Sequence, residues 1–127
     1  MRRAHQVLCY VILALGVLQF LWIGLATLGR ADEPGFPLHV LGGYLMTLLA
    51  LIAVVLAAVG RREGLGWSAA LLGVMVLQIL LVRLTEMVAL LGALHPVNAL
   101  VVLFFAATAA RGGPMGRRQG AAEAGTA

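Results

Sequence analysis

Between Ala4 and Gly29 the chain contains no Asp, Glu, Lys or Arg, and three more apolar stretches of the same kind follow. A helix needs about 20 apolar residues to cross the roughly 30 Å hydrocarbon core of a bilayer. The second run extends from Pro34 to Gly60. The third starts at Gly64, stays uncharged to Val82 and continues through Arg83 and Glu86 to Leu91, and the fourth covers Leu94 to Ala110 before Arg111. In lipid each backbone N–H and C=O must be satisfied within its own segment, so runs of this length predict helices. The sequence therefore predicts an all-α integral membrane four-helix bundle over 1–111, with helices at about 4–29, 35–60, 65–91 and 94–111. The last helix, at about 17 residues, is short for a full span and is expected to thin the bilayer or pack against its neighbours.

Composition supports the same class. Apolar side chains make up 62% of the chain and charged ones 11%, against about 25% charged in soluble domains. All nine basic residues are arginines, and they cluster between the apolar runs. Arg2, Arg3, Arg61, Arg62, Arg111, Arg117 and Arg118 fall on one side, while the other side has Arg30 beside Asp32 and Glu33. Positive residues are retained on the cytoplasmic side, so both termini are expected there. The high pI then reflects topology, with no nucleic-acid partner implied. The tail at 112–127, rich in Gly and Ala, is expected to be a disordered cytoplasmic segment. The first run greatly exceeds the apolar core of a secretory signal. The Arg-only basic set and the heavy use of Ala and Gly suggest a GC-rich bacterial genome, and hence a bacterial cytoplasmic (inner) membrane. Cys9 is the single cysteine, so no intrachain disulfide forms.

A repeat narrows the reading further. Residues 17–21 read VLQFL and 76–80 read VLQIL, at matching depths of the first and third helices. Leu38-His39 and Leu94-His95 stand at the starts of the second and fourth, so two pseudo-repeated hairpins are expected. In an up-down-up-down square the second and fourth helices are diagonal, which sets His39 opposite His95. One helical turn after each histidine comes a small residue, Gly43 and Ala99. Two facing imidazoles with clearance beside them fit a porphyrin whose metal takes one axial nitrogen from each side. Taken singly, each histidine could equally be a hydrogen-bonded interfacial residue, and each small residue a helix-packing contact.

The remaining polar residues follow from the cost of burying them. Arg83 and Glu86 share a helix face at i,i+3 spacing and can neutralise each other. Alternatively Arg83 pairs with an anionic cofactor group such as a propionate, and Glu86 orients an imidazole. Gln19 and Gln78 are expected to bond each other near mid-membrane, with Asn98 joining the network. Pro37 and Pro96 are expected in first turns, where the missing N–H is harmless. Trp67 marks the interface at the start of the third helix. His5 and Cys9 are expected to be a solvated residue and one without a chemical partner. No Ser/His/Asp set, P-loop, GxGxxG or HExxH is present.

Residues 76–111 resemble one half of haem A synthase, in which a helix patterned L-Q-x-x-L-G-x-L-T leads to one opening L-H-x-x-x-A. Leu77, Gln78, Leu81, Leu84 and Thr85 match the first pattern, with Arg83 in place of a small residue, and Leu94, His95 and Ala99 match the second. Leu18, Gln19, Leu38 and His39 match more weakly. The resemblance implies a four-helix haem-binding bundle with His39 and His95 as the axial pair. The family enzyme has two such bundles and a Glu four residues before a histidine, whereas Gly35 and Leu91 hold those positions here. Haem A synthesis is therefore not expected. The leading expectation is a single-haem b-type cytochrome that exchanges electrons with quinone or an outer redox partner. Its site residues are His39, His95, Arg83, Glu86, Gly43 and Ala99, with His39 and His95 on the metal. The alternatives are a non-catalytic subunit or assembly factor of a larger, respiratory-type complex, and a small homodimeric transporter using Arg83 and Glu86.

Overall fold

The computed structural model describes residues 1–28, 34–60, 64–85 and 87–112. Four helices account for nearly all of them: α1 (Arg2–Leu28), α2 (Gly35–Val59), α3 (Leu65–Leu84) and α4 (Ala89–Ala110). Each is long and apolar enough to cross a membrane. α1 packs against α2 and α4, and α3 packs against the same two. The bundle is thus a square in which α1 faces α3 and α2 faces α4 across the diagonals.

The buried positions explain the square. They are His5, Cys9, Ile12 and Gly16 on α1, and Met46, Ala50, Ala53 and Ala57 on α2. Ser68, Leu71 and Met75 follow on α3, with Asn98, Val102, Ala106 and Ala109 on α4. Steps of three and four residues keep one seam of each helix facing its neighbours, as in left-handed bundles. Lipid is as apolar as a leucine side chain, so close packing must hold such helices together, and small residues permit it. The end carrying the N-terminus of α1 meets this need with Cys9, Ala53, Ala109 and Ala110. Next come Ile12, Met46, Ala50, Leu71, Met75, Val102 and Ala106. At the far end Gly35 permits a close approach of α1 and α2, because a Cβ there would lie 2.5 Å from the Trp22 carbonyl oxygen.

Three expectations are corrected. α3 stops at Leu84 and does not reach 91. The Thr85 hydroxyl donates to the Leu81 carbonyl (3.0 Å), and the Thr85 N–H turns to Val82 (3.2 Å). The helix ends in this tightened turn, where the Leu84 carbonyl accepts from the Met87 and Val88 N–H groups (3.0 Å each). α4 correspondingly begins at Ala89 after an extended Val88, and its 22 residues need no thinning of the bilayer. Pro96 is therefore interior to α4, where its ring leaves the Gly92 carbonyl without the usual N–H. Pro37 does occupy the first turn of α2.

His5 is not solvated. It is 5% exposed, with Nε2 2.7 Å from Ser68 Oγ and 3.7 Å from Cys9 Sγ. The buried seam carries it inward, and Ser68 on α3 supplies the polar partner that burial demands. Cys9 consequently does have a polar neighbour. The expected disordered tail from 113 onward lies outside the described residues, as do Glu86 and most of the loop charges.

Candidate functional site

Beyond the packed half, the seams diverge around a cavity of about 600 Å³. Its floor is Gly16, Met46, Met75 and Val102, and all four helices contribute to its walls. Cofactor pockets range over about 300–1,000 Å³, so the volume suits a molecule of that class.

His39 of α2 and His95 of α4 face each other across it, with ring centroids 6.1 Å apart and planes at 63°. Each is tied at Nδ1 to the backbone carbonyl of the glutamine in its own hairpin. His39 Nδ1 is 3.3 Å from the Gln19 carbonyl, and His95 Nδ1 is 3.1 Å from that of Gln78. A carbonyl can only accept, so in His95 this bond favours the tautomer with Nδ1–H and a lone pair on Nε2. Tethering one ring nitrogen to a carbonyl is how ligand imidazoles are oriented in metal sites.

The glutamines do not bond each other, contrary to expectation. They stand on diagonal helices, and each turns to its own hairpin. With its amide assigned from its neighbours, Gln19 donates to the His39 carbonyl (2.9 Å) and accepts from the Gly43 N–H (2.8 Å). The same amide nitrogen donates to His39 Nδ1 at 2.7 Å, which uses the Nδ1 lone pair and competes with the longer contact to the Gln19 carbonyl. Gly42 makes this approach available, since a Cβ there would overlap the Gln19 amide. Gln78 instead reaches the imidazole itself, with its amide nitrogen 3.2 Å from His95 Nε2 and its oxygen 2.6 Å from Asn98 Nδ2.

Gly43 and Ala99 both line the cavity, and a Cβ at Gly43 would meet nothing within 4 Å. Arg83 is in the last turn of α3, where a cation is favoured by the helix C-terminus. It is the one charged side chain lining the cavity among the described residues, and it donates to the Tyr44 hydroxyl at 3.5 Å. The expected pairing of Arg83 with Glu86, and any role of Glu86 at an imidazole, lies outside the described residues. Tyr44 was missed in the sequence. Its place one residue after Gly43, on the face carrying His39 and Val40, is the signal that could have found it.

The donor set is informative. Among the described residues no group of three or more His, Cys, Asp or Glu could hold a metal ion. Comparison with protein-family models, curated proteins and solved structures finds no match to the chain.

Proposed function

We propose that this is a multi-pass protein of the bacterial inner membrane that binds one haem b between His39 and His95. The observation that carries this reading is the 6.1 Å separation of the two ring centroids. Two metal–imidazole bonds of about 2 Å in line, plus the distance from nitrogen to ring centre on each side, separate trans imidazoles by about 6 Å. The 63° between the planes is compatible, because rotation about the axial bonds leaves that distance unchanged.

Haem supplies one-electron chemistry when bound. His39 and His95 would hold it, and the Gln78 carbonyl would orient His95 by accepting from its Nδ1–H. The walls are mostly apolar, and Gly43 and Ala99 would leave clearance for a flat ring. Arg83 and Tyr44 offer a cation and a hydroxyl to a carboxylate at the rim. The repeated Gln–His tether supports descent from a duplicated hairpin. The distribution of arginines supports cytoplasmic termini, which puts the site near the outer face. From there electrons pass to or from quinone or an outer redox partner.

The test is a reduced-minus-oxidised visible spectrum of the full chain purified in detergent from cells supplied with haem precursor. The expected result is b-type bands at about one haem per chain, absent from the His39→Ala/His95→Ala double variant. A featureless spectrum from well-folded wild-type protein would refute the proposal and favour a structural subunit.

A further inference from the structure

Gln19 presents two opposite partners to a single ring nitrogen. Its side-chain amide donates to His39 Nδ1 at 2.7 Å, while its backbone carbonyl stands 3.3 Å from the same atom and can only accept from it. Nδ1 serves one of them at a time. A lone pair there answers the amide and puts the ring proton on Nε2, whereas a proton there answers the carbonyl and leaves Nε2 with the lone pair. Which nitrogen of a neutral imidazole is protonated is set by the hydrogen bond the other makes. The amide makes the shorter contact, so His39 carries its proton on Nε2.

The second hairpin makes the opposite choice. There the Gln78 carbonyl accepts from His95 Nδ1–H at 3.1 Å, and Asn98 draws the Gln78 side chain elsewhere. Asn98 Nδ2 donates to the Val74 carbonyl (2.9 Å) and to the Gln78 side-chain oxygen (2.6 Å), which leaves the Gln78 NH₂ against His95 Nε2 (3.2 Å). In the first hairpin the residue three after the histidine is Gly42, where the second has Asn98. Gly42 has no amide to draw Gln19 away, and its missing Cβ gives the Gln19 amide its place. Matching motifs thus hold their histidines in opposite tautomers.

We infer that the Gln19 side chain is a latch on the site: it keeps the proton of His39 on Nε2, and ligation there follows only when the amide lets go and that proton moves to Nδ1. The Gln19 carbonyl, already beside Nδ1, then accepts from it. One ring nitrogen loses a proton and the other gains one, so the imidazole is neutral before and after. Gln19 is a positioning residue that acts through His39. This rests on the cofactor reading above, and concerns how that site is loaded.

The experiment uses the full chain in detergent micelles, carrying isotope-labelled histidine, at mildly alkaline pH where imidazoles are neutral. Its nitrogen NMR spectrum before haem is added, assigned with His39→Ala and His95→Ala, should show hydrogen on Nε2 of His39 and on Nδ1 of His95. Gln19→Leu removes the amide and keeps the backbone carbonyl, so it should move the His39 hydrogen to Nδ1. Haem titrated into this variant should bind about tenfold more tightly than to wild type, the effect of one hydrogen bond of ordinary strength. Gln19→Met, closer in length, should shift both readouts the same way, and serves if the Leu variant does not fold. A wild-type spectrum with the His39 hydrogen on Nδ1 would overturn the inference, as would a folded Gln19 variant that binds haem no more tightly than wild type. Either result leaves the cofactor reading intact. Haem bound by neither wild type nor a folded Gln19 variant would overturn the cofactor reading, and the latch with it.

Discussion

Gly42 and Gly43 are adjacent in sequence, yet substitution by alanine should separate them sharply. A Cβ on Gly42 would overlap the Gln19 amide and lie 2.5 Å from the Trp22 ring. Neither neighbour can retreat cheaply, because the Gln19 amide is bonded to the His39 carbonyl and the Gly43 N–H. Overpacking of this kind costs about 1–3 kcal/mol. Losing a hydrogen bond of the Gln19 bridge adds about 0.5–1.5 kcal/mol. Gly42→Ala should therefore destabilise the bundle by about 2–4 kcal/mol. At Gly43 the new methyl meets nothing within 4 Å. The usual gain of about 1 kcal/mol in helix propensity for Gly→Ala largely cancels, since membrane helices stay formed when they separate. Gly43→Ala should fall within about 0.5 kcal/mol of wild type. Denaturant titration of the purified protein in mixed micelles, followed by near-ultraviolet circular dichroism, measures both. Equal destabilisation, or a larger effect at Gly43, would refute the account of this helix contact.

Other residues give sharper or simpler readouts. Gly43→Phe should fill the cavity and abolish haem binding while the unfolding midpoint stays near that of wild type, as absorbance and the same titration would show. Ser68→Ala removes the hydroxyl from buried His5 and should cost about 1–3 kcal/mol, the penalty for a buried polar group losing its partner. Cys9 is 0% exposed, so a membrane-permeant maleimide should label it only after denaturation, which mass spectrometry detects. Arg83→Gln should leave the unfolding midpoint unchanged, since Arg83 is exposed and donates to Tyr44 at 3.5 Å. Its haem affinity should fall severalfold, by titration of haem into the apoprotein, with partial recovery in Arg83→Lys.

The helix count was legible because uncharged length is a one-dimensional property, and lipid allows only one way to satisfy such a backbone. The diagonal of α2 and α4 followed from short connections, and with it the meeting of His39 and His95. Where α3 ends was not legible, since hydropathy continues through Leu84 and the turn of the Thr85 N–H to Val82 leaves no mark in composition. The pairing of Gln19 and Gln78 was misread for a related reason. Matching depth says nothing about which neighbour an amide will reach, and here the choice follows from a glycine in one hairpin and an asparagine in the other. His5 could have been recognised from its 4-3-4 spacing with Cys9, Ile12 and Gly16, a seam hidden by Arg2 and Arg3 just before Ala4 and by the nearness of the terminus.

Pro96 also gives α4 a mechanical character. One rung of its hydrogen-bond ladder is absent between residues 92 and 96, so the helix yields there at lower cost than elsewhere along its length. His95 sits on the short arm of this lever, the segment from Ala89, and Asn98 sits beyond the fulcrum, anchored to Val74. A tilt of the short arm therefore moves the imidazole relative to Asn98. The compliance of α4 lies between these two residues, and so acts directly on the distance between the two histidines.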